Sequence, residues 1–296
     1  MFRALGTLQL ETDSGETIRI PARKPRTLLS ALVLHANEWT PVDQLVETVW
    51  PGHRPPSARG NLKTYVHHLR RILPKLGAGG ARLSSRPGEY RLSVGRGELD
   101  TWVFEDRVAE GRRALAASGP EQAVEPLEAA LRLWRGRPFD ELGTPAAAAY
   151  VARLEELRWS AREDVVEARM ALGQHRECVE GLRELITEQP LREQLWCQLL
   201  RALHRCGRRA DALAAYRDVR ELLVGELGIE PGAELQRTHQ EILVPTQRQA
   251  WPSTSIGALS RATATHIPEA TTESAQDRAV SHGDAAPQQG NAQFCS

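Results

Sequence analysis

Residues 57–73, SARGNLKTYVHHLRRIL, carry cations and hydrogen-bond donors at helical spacing. The apolar residues Leu62, Tyr65, Val66, Leu69, Ile72 and Leu73 recur three and four apart, so a helix gathers them into one stripe. The opposite side then shows Gly60, Thr64, His67 and Arg71, flanked by Lys63 and His68, with Arg59 on the early turns. That side carries no carboxylate. Its groups are suited to phosphate oxygens and base edges, while the apolar stripe holds the helix in a domain. Most charged helix faces are merely solvated, so the reading turns on the surroundings.

The surroundings are cationic. Residues 23–91 hold 12 Lys/Arg against 4 Asp/Glu. Arg23, Lys24 and Arg26 open an earlier helix and are placed to meet backbone phosphate. Downstream, ARLSS and YRLSV flank RPGE, whose Pro-Gly pair marks a turn. This hairpin carries Arg82, Arg86 and Arg91, and Arg86 sits where a wing would enter a narrow, negative minor groove. A helix fits the major groove of B-DNA, about 12 Å wide. No aromatic stacking platform for single strands is evident, so duplex DNA is preferred over RNA.

The 296-residue chain has zero formal net charge, but the average hides an asymmetry. Residues 1–99 hold 15 Lys/Arg against 8 Asp/Glu, and residues 100–296 hold 23 against 30. A basic front and an acidic back imply two surfaces with different partners. The hydrophobic fraction of 41% is that of a globular chain able to bury a core without disulfides. Cys178, Cys197, Cys206 and Cys295 form no C-x-x-C pair and no zinc-ligand spacing, so no metal is expected. Three of them fall in helical stretches as small buried thiols, as in a reducing compartment. The start, MFRALGTLQLETDSGE, is not a signal peptide, and no run of about 18 apolar residues occurs. A cytoplasmic location and no membrane partner are expected. No P-loop, nucleophile elbow or H-E-x-x-H appears, so neither catalytic residues nor a cofactor is assigned.

The elements that position these groups can be read in order. Residues 2–20 give short strands, with a D-S-G turn at 13–15. A helix follows on Leu28, Leu29, Leu32 and Val33, with Pro25 in its first turn and Asn37 as its stop. In TPVDQLVETVW, Thr40 is the expected N-cap, Pro41 the first helical residue and Asp43 the partner in a near capping box. PGHRPP, with His53 and Arg54, is a loop. Ser57 caps the third helix and Pro74 ends it; LGAGG is a flexible turn before the hairpin. Strands, three helices and a hairpin within 1–98 describe a winged helix with an extra N-terminal sheet.

Residues 99–245 read as helices near 101–118, 120–134, 145–172, 175–188, 191–206, 208–228 and 232–244. Segments 173–190 and 207–224 align at an offset of 34 residues: Cys178 matches Ala212 five after the glycine, and Leu182 matches Tyr216 nine after it. A weaker third copy starts at Gly119, with Val124 and Leu131. A 34-residue helix-pair period is the tetratricopeptide signature. The tail, 246–296, is rich in small and polar residues and is expected to be disordered.

FRALG, KPRTLLSALVLHAN, TPVDQLVETVW, SARGNLKTYVHHLRRIL and RPGEYRL together resemble the Streptomyces antibiotic regulatory protein family. LEAALRLWRGRPFDEL and ALAAYRDVRELLVGELGIEPGAELQRTHQEIL resemble that family's bacterial transcriptional activation domain. The likeness covers about residues 2–244. It implies a mainly α protein: an OmpR-like winged helix-turn-helix domain, then an all-α tetratricopeptide-like domain. It further implies an activator of antibiotic biosynthesis genes that binds direct repeats near the −35 element, self-associates on DNA and recruits RNA polymerase holoenzyme with its sigma factor. His53 and Arg54 match a loop that touches polymerase. The residues alone leave two other classes open: a protein-interaction scaffold built on the helix pairs, and a repressor using the same DNA-binding domain.

Overall fold

The computed structural model describes residues 1–12, 14–20, 22–73 and 82–244. Pro74, the glycine-rich stretch at 76–80, Cys295 and the tail at 246–296 lie outside them, as does Asp13 of the first turn. The first strands are short: β1 (Phe2–Arg3), β2 (Gln9–Glu11) and β3 (Thr17–Ile18). They form an antiparallel meander in which Phe2 faces Leu10 and Leu10 faces Ile18. The two-residue side-chain period places Phe2 and Leu10 on the buried side.

Helix α1 (Arg23–Leu34) buries Leu28, Leu29, Leu32 and Val33. It ends at Leu34, with His35 as its C-cap and short of the expected stop; Asn37, three residues on, takes a left-handed φ of 69°. Asn37 can hold that conformation because its amide grips the backbone of Val94 in both directions, each bond 2.9 Å.

The expected cap of the second helix is corrected. Thr40 and Pro41 form a strand, β4 (Thr40–Pro41), and α2 (Val42–Val49) has Pro41 rather than Thr40 at its N-cap position. Pairing of Thr40 with Tyr90 and of Pro41 with Glu89 outweighs the local capping bond. The first free helix N–H, from Val42, goes to the carbonyl of Gly88 at 2.9 Å. Next come α3 (Ala58–Ile72), β5 (Leu83–Arg86) and β6 (Glu89–Leu92), in a sheet ordered β4-β6-β5. Ser57 does precede α3 but makes no capping bond; its hydroxyl accepts from Asn61 at 3.2 Å instead.

The remaining helices are α4 (Asp100–Ala116), α5 (Pro120–Leu131), α6 (Pro145–Ala171), α7 (His175–Glu188), α8 (Glu193–Arg205), α9 (Arg209–Leu227) and α10 (Ala233–Leu243). Gly173 and Gly207, at φ of 81° and 76°, end α6 and α8 with the same pair of turn bonds. The third copy of the repeat begins one residue earlier than expected. Ser118 holds the left-handed position at φ 57° and makes the equivalent bonds, and Ala123 and Leu127 then match Cys178 and Leu182. Serine in place of glycine hid that register. Close approach is literal where α4 crosses α5: a Cβ on Gly111 would lie 2.4 Å from Leu127.

The side chains sort into two cores. One runs from Phe2 through α3 to Ala168, and the other from Val166 to Ile242. The winged-helix part therefore shares its core with α4–α6. Two carboxylates seal this seam. Asp100 accepts from the backbone N–H of Ala4 (2.7 Å) and Leu5 (3.0 Å) and is 1% exposed. Glu141 accepts from the Leu8 N–H at 2.9 Å and the Ser30 hydroxyl at 3.3 Å. Burial lifts the Asp100 carboxyl to about 6.

Candidate nucleic-acid interface

Helix α3 divides along its length as its residue spacing requires. Ala58, Leu62, Val66 and Leu69 are buried, and Tyr65 stacks on Trp50 at 5.9 Å between centroids. Gly60, Lys63, Thr64, His67, His68 and Arg71 are all exposed. The side chains of Lys63, His67, His68 and Arg71 have no hydrogen-bond or ion-pair partner among the described residues, and the Thr64 hydroxyl donates only to the Gly60 carbonyl at 3.3 Å. A Cβ on Gly60 would meet nothing within 4 Å, so no internal packing calls for glycine there.

Arg59 is exposed but engaged. Its guanidinium donates to both oxygens of Asp43 at 2.8 Å, and Arg54 from the loop reaches the same carboxylate at 3.3 Å. The paired guanidinium holds the Asp43 carboxyl below its ordinary value. One acidic group thus draws the start of α3 and the preceding loop together at the surface. His53 is exposed beside Arg54.

The hairpin is fixed to α3 by a residue that sequence reasoning did not single out. Arg70 donates to the Leu83 carbonyl at 3.0 Å and the Ser85 hydroxyl at 3.1 Å. The helical pattern placed it beside Arg71; only the fold shows that it faces β5. Trp39 was also missed. The guanidinium groups of Arg86 and Arg91 lie 4.5 and 4.7 Å from its ring centroid. Arg86 is also paired with Glu89 at the hairpin turn. At the base of β5, Arg82 pairs with Glu98 at 2.6 Å, which depresses the Glu98 carboxyl to about 2.

The cations that open α1 diverge. Arg23 and Lys24 are exposed, and Lys24 stands 4.9 Å from the Trp50 ring centroid. Arg26 turns inward: it lies 3.1 Å from Glu141 and donates to the Ile20 carbonyl at 3.1 Å. It contributes to the seam rather than to the outer surface. The structure thus brings α3, the loop with Arg54 and the wing into one cationic region, and separates Arg26 from it.

Residues 15–89 match the family described as transcriptional regulatory protein, C terminal, and residues 99–243 match the bacterial transcriptional activator domain. The regulatory protein DnrI of Streptomyces peucetius is 37% identical over 78% of this chain and 87% of its own length. The transcriptional regulator RedD of Streptomyces coelicolor is 36% identical over 81% of this chain and 69% of its own. Among solved structures, Mycobacterium tuberculosis EmbR in complex with a low affinity phosphopeptide superposes with a TM-score of 0.76 at 36% identity. That likeness covers 82% of this chain and 64% of the EmbR chain. Among the described residues no helix is long and apolar enough to cross a membrane. With a winged helix and an activator domain in this order, and relatives matched over most of their length, the chain belongs to the Streptomyces antibiotic regulatory protein family of transcriptional regulators.

Proposed function

We propose that this protein activates secondary-metabolite biosynthesis genes in the cytoplasm by binding direct repeats beside the −35 element and recruiting RNA polymerase holoenzyme. The observation that carries the reading is the exposed side of α3, where Lys63, Thr64, His67, His68 and Arg71 stand unopposed by any carboxylate. In this scheme α3 enters the major groove, and Thr64, His67 and Arg71 meet base edges. Arg59 exchanges Asp43 for a phosphate. Arg86 enters the neighbouring minor groove, with Trp39 supporting its guanidinium. Arg23 and Lys24 contact backbone phosphate. Copies lie side by side on the repeats, and the loop with His53 and Arg54, together with the helical domain, faces polymerase and sigma factor.

Footprinting of a cognate promoter, followed by run-off transcription with purified polymerase, tests this. Protected direct repeats are expected, with affinity falling by orders of magnitude between about 50 and 200 mM salt. Transcript should rise when protein is added; a fall would make it a repressor, and an unprotected promoter at low salt would remove the DNA-binding reading.

A further inference from the structure

A cleft opens at the seam between the winged-helix part and the helices. Leu34 and Leu45 wall it from α1 and α2, and Leu142 and Ala146 wall it from the start of α6 and the chain before it. Its volume is about 400 Å³ and its walls are mostly apolar. Pockets for small organic ligands run from roughly 300 to 1,000 Å³, mostly apolar with a few fixed polar groups, and favour boundaries between structural units.

The polar groups here are few and specific. Thr40 belongs to the wall and is 3% exposed, yet its hydroxyl has no hydrogen-bond partner among the described residues. That hydroxyl is itself closed to solvent, so it is the neighbouring exposed amide of Gln44 that can meet an occupant. Gln44 stands at the same site with its amide nitrogen 3.2 Å from the His35 ring. No lysine or arginine lines the cleft, and Glu47 is its single carboxylate.

We propose that this cleft binds an uncharged, mostly apolar small molecule carrying one hydrogen-bonding group. The apolar body lies against Leu34, Leu45 and Leu142, and the polar group serves Gln44. An occupant would touch α1 and α2 on one side and α6 on the other. It could therefore bias how the two parts are held, in proportion to any difference in its affinity for alternative arrangements. The inference rests on the seam alone and is independent of how α3 meets DNA.

The test uses the full chain and N-phenyl-1-naphthylamine, an uncharged apolar fluorophore with a single N–H. Saturable one-site binding is expected. Ala146→Trp, an exposed position at the cleft, should weaken it at least tenfold. Ala146→Glu, which brings a charge into the apolar cleft with less bulk than tryptophan, should weaken it as well and guards against a misfolded tryptophan variant. Gln44→Leu, which removes the amide at similar size, should weaken it several-fold. Ala171→Trp, at a separate concavity bounded by Met170 and Ile242, should leave it unchanged. Absence of saturable binding overturns the proposal. So does equal binding by wild type and both Ala146 variants, or loss in Ala171→Trp alone, with thermal unfolding confirming that each variant is folded.

Discussion

Carboxylates serve opposite ends at the α3 face and at the seam. On the α3 side, Asp43 meets Arg59 with both side chains more than 60% exposed, and Glu89 meets Arg86 at the wing. At the seam, Asp100 and Glu141 are buried and accept from the backbone N–H groups of Ala4, Leu5 and Leu8. Exposed pairs are screened by water and salt and contribute little to stability, so a phosphate can replace the carboxylate. Buried carboxylates that satisfy backbone donors have no such substitute, because water cannot take their place. The charge left at the surface is held in pairs that break easily; the charge built into the seam is held in groups that do not.

Asp100→Ala breaks the comparison from the stable side. It leaves two backbone N–H groups unpaired and is expected to lower unfolding free energy by about 3 kcal/mol in urea, with DNA affinity of the folded fraction nearly unchanged. A pH series sharpens it. The Asp100 carboxyl rises from 3.8 to about 6 on folding, so the native state binds its proton more tightly. This proton-linked stabilisation is full below about pH 4 and is lost as pH rises through 6, on the order of 3 kcal/mol. The difference between wild type and Asp100→Asn should follow that curve. Glu98, depressed to about 2, acts in the opposite sense: its contribution is full above 4.5 and is lost as pH falls through 2.

On the other side, Arg71→Ala should weaken operator binding by about 1–3 kcal/mol if it reads a base, or lower the salt slope by about 1 if it meets phosphate. Stability in the same urea assay should change by less than about 0.5 kcal/mol. The smallest effect is expected from Asp43→Asn. Freeing Arg59 and Arg54 should tighten DNA binding a few-fold in a mobility shift; weaker binding instead would show that Asp43 positions the start of α3.

Periodicity made the helices readable. The apolar stripes of α1 and α3 and the glycines after α6 and α8 located their elements closely, because local pattern and tertiary packing agree there. Thr40 shows where the reading stops: capping chemistry is local, but β4 forms by pairing with β6, some 50 residues away in sequence. The outer face of α3 was legible from spacing alone. Arg26 was not, since its partner Glu141 lies more than 100 residues downstream. Trp39 was missed because nothing in sequence places it under the hairpin arginines.

Helix α6, 27 residues long, supplies Val165 and Ala168 to one core and Val166 to the other. Every member of the first core lies at or before Ala168. A chain ended just past Ala171 would keep that core whole and retain only Val166 of the second's buried residues, whereas one ended before Pro145 would strip Val151, Leu154 and Ala161 from the first. The natural place to shorten this protein is therefore the far end of one long rod, well beyond the point where the regulatory halves meet.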